Sequence, residues 1–345
     1  MKRWKSALAV MAGLAVMAGV YGCGNNAENA KTAGAVTQKA EVQTYAWPLG
    51  TSSPEDTVTQ QFGEKFIEEV TEKSDGRMKI QIYPNGVIGS DRELLESCAD
   101  GDIPFVVQNT APQVSFIPEI AVFDAPCAFD TMEEVRAAVD DEGFAEKLQK
   151  VYQSGGYYLL GMADQGFRVM TTNKKIETVA DFKGQKIRTM ENANHLLFWK
   201  DLSANPTPMT FSEVYIGLQQ HTIDAQENPY EVIVSGKLYE QQKYVVQTNH
   251  LPHMISLIVN DDFLRGLSAD DQKIIKDAAK EATAYARAQA DERVEDRIRT
   301  MEDAGCEIVE LPEEVHDKMR ELSENVYENI REQAGEELLD AYLEK

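Results

Sequence analysis

From residue 268 to residue 304 apolar side chains recur at helical spacing: Ile274, Ala278, Ala282, Tyr285, Val294, Ile298 and Met301. A helix of roughly 35 residues, rising ~1.5 Å per residue, is about 50 Å long. That exceeds the diameter of one small domain, so the helix either projects or lies across two domains as a shared spine. Gly305 ends it. Residues 306–311 read as a strand, and Pro312 opens a final helix with Val315, Met319, Leu322, Val326 and Ile330 on one face.

Upstream, short strands alternate with helices. Residues 43–47 read as a strand. Residues 54–73 form a helix, because Val58, Phe62, Phe66 and Val70 recur every four positions until Ser74-Asp75-Gly76 breaks the pattern. Met78, Ile80 and Ile82 then alternate with polar neighbours, the period of a strand with one buried face. A turn at Pro84-Asn85-Gly86, a helix over 91–100 and a buried strand over 103–108 complete the series. A second series starts at residue 157, with strands over 157–162, 167–172, 186–190 and 222–225 and a helix over 194–202. Thr210 and Glu213 are spaced as a capping box opening a further helix. This order predicts an α/β fold with mostly parallel sheets covered by helices.

The chain has 345 residues, enough for two domains, and its 43% hydrophobic content with 8% aromatics argues against disorder. Its 34 basic and 58 acidic side chains give a net charge of −24. That excludes nucleic acid as a partner, since a binder needs a basic face to displace counterions from phosphates. Lys2, Arg3 and Lys5 precede an apolar run over 7–20, too short for a membrane-spanning helix but suited to an export signal. Val20-Tyr21-Gly22-Cys23 resembles a bacterial lipobox, so Cys23 is the expected lipidation site, with plain signal cleavage nearby as the alternative. Residues 1–22 then form the signal peptide and 23–42 a polar tether. Losing three basic residues takes the charge from −24 to −27. Cys98, Cys127 and Cys306 read as buried free thiols, although one pair is open.

Motifs for nucleophilic, phosphate, dinucleotide or zinc chemistry are absent: there is no GxSxG, Walker loop, GxGxxG, HExxH or CxxC. His250 and His253 flank Leu251-Pro252 and read as a turn. No catalytic residue, metal site or cofactor is expected. One segment stands against the acidic background. From Arg168 to Arg188, six basic residues face Glu177 and Asp181, a local charge of +4. Both arginines fall on expected strands, and the planar guanidinium fork matches a carboxylate bidentately. On spacing alone they are also compatible with ordinary ion-paired arginines.

Specific blocks then carry a family resemblance. Ile187-Arg188, Ala204-Asn205-Pro206-Thr207-Pro208-Met209, Thr210-Phe211-Ser212-Glu213 and Gln226-Glu227-Asn228-Pro229 closely resemble the substrate-binding proteins of tripartite ATP-independent periplasmic (TRAP) transporters, the DctP-like group. Gly50-Thr51-Ser52-Ser53, Ile82-Tyr83-Pro84 and Gly166-Phe167-Arg168 match as well, so the resemblance covers nearly the whole chain after the tether. It implies a two-domain periplasmic-binding-protein-like α/β fold with a ligand cleft between the domains and a long helix spanning both. The implied partition is 43–165 plus about 254–290 for the first domain, and 166–253 plus about 291–345 for the second. Arg188 would be the main carboxylate anchor, Arg168 a supporting cation, and Asn228 a donor to the carboxylate or a brace for Arg188. Phe211 would pack on the ligand's carbon skeleton. On the other wall Trp47 would offer an apolar platform, and Asn109, with Gln108, would read hydroxyls. Glu191 is left open between pairing with Arg188 and binding a hydroxyl.

The function so implied is an exported, lipid-anchored monomeric receptor on the outer face of the cytoplasmic membrane. It would capture an organic acid, a sugar acid such as a hexuronate first and a C4-dicarboxylate next, and deliver it to small and large membrane subunits. A binding lipoprotein serving a sensor, or an exported enzyme on the same fold, are the alternatives.

Overall fold

The structure, a computed structural model, describes residues 45–344. The signal, Cys23 and the tether lie outside the described residues. Strand β1 (Tyr45–Gly50) is followed by helix α1 (Val58–Lys73), whose first turn is capped by Thr57 accepting from the Gln60 amide at 3.2 Å. Strand β2 (Met78–Tyr83), helix α2 (Asp91–Ala99) and strand β3 (Phe105–Asn109) come next. Two 3-10 turns, Ala111–Ser115 and Pro118–Asp124, precede α3 (Met132–Asp140), α4 (Glu142–Ser154) and the long strand β4 (Tyr157–Phe167). The chain then enters a second series: β5 (Val169–Thr172), β6 (Lys186–Thr189), α5 (Ala193–Asp201), β7 (Asn205–Pro208), α6 (Phe211–Gln219), β8 (Ala225–Asn228), α7 (Tyr230–Ser235) and β9 (Tyr244–Gln247). It closes with β10 (Pro252–Asn260), α8 (Asp261–Gly266), α9 (Ala269–Glu292), α10 (Val294–Asp303), β11 (Glu307–Glu310), α11 (Glu313–Glu321), α12 (Glu324–Ala334) and α13 (Glu336–Leu343).

These strands form two sheets, ordered β2-β1-β3-β10-β4 and β11-β9-β5-β8-β6-β7. Both are mixed rather than mostly parallel. β10 runs antiparallel to β3 and β4, and β5 antiparallel to β8 and β9. The cause is the connectivity: the chain passes between sheets at Arg168 and again at residues 248–251, so a strand re-enters each sheet in reverse. β10 is buried along its whole length, as a strand covered on both faces must be. β7 contains Pro206 and Pro208, which an edge strand tolerates because it has an unpaired side.

The spine is present but divided. α9 packs on α1 and β4, and α10 packs on α7 and β11, so the pair reaches across both sheets as the length argument required. The division falls at Arg293, with φ −93° and ψ −12°. There Arg293 and Arg297 both donate to the buried Glu231 Oε1, at 2.8 and 2.9 Å, and both reach Asp56 in the loop after β1. Within α9 the buried stripe Ala278, Ala279, Ala282, Ala286 and Ala290 brings the helix close to the first sheet, where Gly161 of β4 lies under Thr283. The expected final helix is likewise three helices, turned at Leu322-Ser323 and at Gly335, whose φ is +80°.

Helix α13 returns to the first series of elements. The Tyr342 ring of α13 lies 5.1, 5.0 and 5.3 Å from those of Phe123, Phe129 and Phe144, so this helix packs with α3 and α4. Cys98, Cys127 and Cys306 are free and buried. Among the described residues no helix is long and apolar enough to cross a membrane, and no group of side chains is arranged to hold a metal ion.

Candidate functional site

Arg188 lies on β6, paired in parallel register with Gln226 of β8 and Thr207 of β7. It is 2% exposed. Nε and Nη2 donate to the Met209 carbonyl at 3.0 and 2.7 Å, which fixes the guanidinium plane. Nη1 has no hydrogen-bond partner among the described residues. The Phe211 ring centroid is 6.0 Å from Cζ, so an aromatic face flanks the fork. Burial pulls the Arg188 pKa down to about 10. Arg168 adds to that shift and Glu227 opposes it. The group therefore stays a cation at neutral pH, and a ligand anion would relieve its burial.

This guanidinium lines a cleft of ≈ 640 Å³ together with Ser52, Asp91, Pro112, Glu191 and Phe211. The cleft is built from both series of elements. Ser52 follows β1, and Asp91 opens α2 in the first. Arg188 on β6, Glu191 just beyond it and Phe211 at the start of α6 come from the second. Asp91 accepts a hydrogen bond from Ser52 Oγ at 2.5 Å. Burial raises its pKa, against the opposing influence of Ser52 and Arg188. Glu191 is exposed and makes no ion pair with Arg188.

Arg168 behaves differently. It is 1% exposed, at the crossing between β4 and β5. Its Nε and Nη2 grip the Glu227 carboxylate, Nη2 at 2.8 Å from Oε1, and Nη2 also reaches the Glu227 carbonyl at 2.5 Å. Nη1 meets His253 Nδ1 at 2.5 Å. Glu227 Oε2 takes a further hydrogen bond from His250 Nε2 at 3.1 Å, and Thr248 Oγ1 lies 2.9 Å from His250 Nδ1. The Phe198 ring is stacked on His250 at 5.3 Å, with 6° between planes. Burial works to raise the Glu227 carboxyl, but Arg168 and the His250 hydrogen bond overcome it and hold it well below the usual carboxylate range. Burial also keeps His250 and His253 neutral, their pKa values lowered.

The remaining expected site residues are distributed unevenly. Phe211 stands beside Arg188 and lines the cleft. Asn228 braces Arg168 rather than Arg188: its Oδ1 accepts from Arg168 Nη2 at 3.3 Å and its Nδ2 donates to Gln226 Oε1 at 2.6 Å. Trp47 is not in the cleft. Along β1 it shares a face with Leu49 and packs against Phe105 and Phe263, with ring centroids 6.0 and 5.0 Å away. Strand alternation puts that face toward α1 and α9. Asn109 is also engaged elsewhere, donating to the Met254 carbonyl and accepting from the Ala111 amide, both at 2.9 Å. The Thr210 side chain bonds the Glu213 carboxylate at 2.7 Å and makes no cap to the helix amides, so the expected box is incomplete.

Sequence reasoning missed Glu227 as the partner of Arg168, and read His250 and His253 as a turn. The available signal was the Gln-Glu-Asn block itself: a carboxylate on a short buried strand needs a cation.

The whole arrangement, a cleft between two sheets of a two-domain α/β fold with a buried guanidinium facing it, is that of a solute-binding receptor. Residues 49–334 match the family model of bacterial extracellular solute-binding proteins, family 7 (DctP), and the chain belongs to that family of TRAP-type substrate-binding proteins. It is 32% identical to the ectoine-binding periplasmic protein TeaA of Halomonas elongata, over 86% of this chain and 88% of that one. Among solved structures it resembles a TRAP periplasmic solute-binding protein from Polaromonas sp. JS666 bound to D-erythronate. That match has 31% identity and a TM-score of 0.82, and covers 87% of this chain and 98% of the other. It also resembles the sugar acid binding protein DctPAm of Advenella mimigardefordensis in complex with galactonate, at 31% identity and TM-score 0.83 over 87% and 97% of the two chains.

Proposed function

We propose that this chain is the extracytoplasmic receptor of a TRAP-type transporter for a hydroxylated monocarboxylate, a sugar acid such as a hexuronate being favoured. The observation that carries this reading is Arg188: a 2% exposed guanidinium, locked in plane by Met209, with one nitrogen unpartnered beside a cleft of ≈ 640 Å³. The ligand carboxylate binds the free edge of that fork. Phe211 packs on the carbon skeleton, and Arg168 with Asn228 positions the floor behind it. The D-erythronate and galactonate complexes of its structural relatives support a sugar acid.

Closure of the two walls removes water from the ion pair, and Coulomb attraction strengthens as the dielectric falls. The loaded monomer then docks on the small and large membrane subunits, and the protein binds without turning its ligand over. Export and a lipid anchor at Cys23 would hold it on the outer face of the cytoplasmic membrane. Cys23→Ala should release it into the soluble extract, and continued extraction only by detergent would argue against lipidation.

The site is tested by calorimetry with D-galactonate on the wild type and Arg188→Ala. Leaving a ligand charge unpaired costs roughly 3–5 kcal/mol, hundreds- to thousands-fold in affinity. Arg188→Lys should fall between, keeping the charge but not the fork. Unchanged affinity in Arg188→Ala would sink the assignment.

A further inference from the structure

The charged groups of the cleft are unequally engaged. Arg92 pairs with Glu96 at 3.1 Å and lies over the Phe116 ring, and Glu93 accepts from Ser90 N and Oγ, both at 2.8 Å. Arg92 is thus spent on Glu96, and Glu93 on the Ser90 cap. Four charged groups of the lining make no ion pair among the described residues: Arg188, Asp91, Glu191 and Glu93, the last being bound into the Ser90 cap. The half-buried Asp91 is held by the Ser52 hydroxyl alone, and Glu191 makes no hydrogen bond or ion pair among the described residues. Once a ligand carboxylate occupies the free edge of Arg188, the cleft retains Asp91 and Glu191, besides the capped Glu93, and no uncommitted cation.

We infer that Asp91 and Glu191 are the specificity residues of this cleft: lining it with Arg188, one from each series of elements, they take a ligand end rich in hydrogen-bond donors and reject a second carboxylate. The inference rests on the carboxylate-receptor reading above and narrows it. An ionised carboxylate accepts hydrogen bonds and cannot donate them, so the partner it requires is O–H or N–H. The hydroxyls of Ser52, Ser90, Ser115 and Ser212 on the same walls can adapt to either. A cavity of ≈ 640 Å³ is only about 11 Å across, close to the screening length at physiological salt, so a second anion anywhere inside it meets both carboxylates little screened. Specificity of this kind works by placing an uncompensated like charge against the wrong ligand.

Two sources of donors satisfy these carboxylates, sugar hydroxyls and a cationic nitrogen, and a matched panel separates them. D-Galactonate carries hydroxyls, ectoine a cationic amidine, galactarate the hydroxyls of galactonate except the terminal one, which a second carboxylate replaces, and succinate two carboxylates alone. Calorimetry on the full chain should give galactonate or ectoine at least about tenfold tighter binding than galactarate or succinate. Whichever of the first two wins identifies the donor. In the double variant Asp91→Asn, Glu191→Gln, which keeps shape and removes both charges, the preference should narrow by about tenfold or more, with galactarate gaining. Glu191→Gln alone, at an exposed position, gives the same direction with no risk to the fold. A wild type that binds galactarate or succinate as tightly as galactonate and ectoine overturns the inference. So does a double variant with the same ratios, while Arg188→Ala still loses binding and leaves the receptor reading intact. If none of the four acids binds, the receptor reading fails and the inference falls with it.

Discussion

Arg188 keeps one guanidinium nitrogen free, whereas every edge of Arg168 is taken by Glu227, Asn228 and His253. The two arginines, twenty positions apart, thus differ in what they leave open: one keeps a free edge and the other is spent within the fold. Removing the Glu227 charge leaves Arg168 buried and unpaired, so Glu227→Gln should cost roughly 3–5 kcal/mol of stability, measured by denaturant unfolding. The same cluster sets a pH dependence. Glu227 has a depressed pKa when folded, so its contribution is present above the unfolded value near 4.3 and lost as pH falls toward the folded one. His250 and His253 are also depressed, so the unfolded chain takes up protons first as pH drops below about 6.5. The two histidines predict a melting temperature that declines below about pH 6.5, and Glu227 extends the decline below about pH 4.3. In Glu227→Gln the decline below about pH 4.3 should be shallower, Glu69 and Asp271 keeping part of it, and an unchanged acid limb would count against the assignment.

At the scale of elements, α9 sits close on β4 because Gly161 offers no side chain. A Cβ there would lie 2.2 Å from Thr283 Oγ1 and 3.3 Å from the Phe62 ring. Gly161→Ala should therefore destabilise by about 1–3 kcal/mol, as overpacking of a filled core does. Thr283→Ala in the same chain should recover part of that loss, since the closest clash is with its hydroxyl. A double-mutant cycle in urea checks both, and additive effects would mean that the two residues do not meet. The spine was legible from its spacing, because burying a continuous stripe over so many turns requires period 3.6. Its division at Arg293 was not. That depends on Glu231 and Asp56, which come from distant segments and pair with Arg293 and Arg297 only after both sheets have assembled.

For the whole molecule, the chain passes between the sheets at Arg168, at residues 248–251 and at Arg293, and the cleft draws its walls from both series. A ligand held by Arg188 on one wall and by Asp91 on the other should draw the walls together. Small-angle scattering should show a smaller radius of gyration with saturating D-galactonate, and no change in Arg188→Ala. An identical radius in the liganded wild type would exclude closure. At 100 times its dissociation constant the ligand should also add about 2.7 kcal/mol to stability, readily seen as a thermal shift.

The α/β class, the spine and the family are legible in the amino-acid order alone, because periodicity and contiguous blocks are local properties that one segment carries alone. The same order also located the positive segment in a chain of −24. Only the tertiary structure decided which arginine is free and which is spent. It likewise decided that Trp47 faces α1 and α9, that Asn109 is engaged by Met254 and Ala111, and that Asp91 and Arg188 line one cavity. Whether a charge is available to a ligand depends on what the fold brings within about 3 Å of it, and those partners lie tens of residues away along the chain.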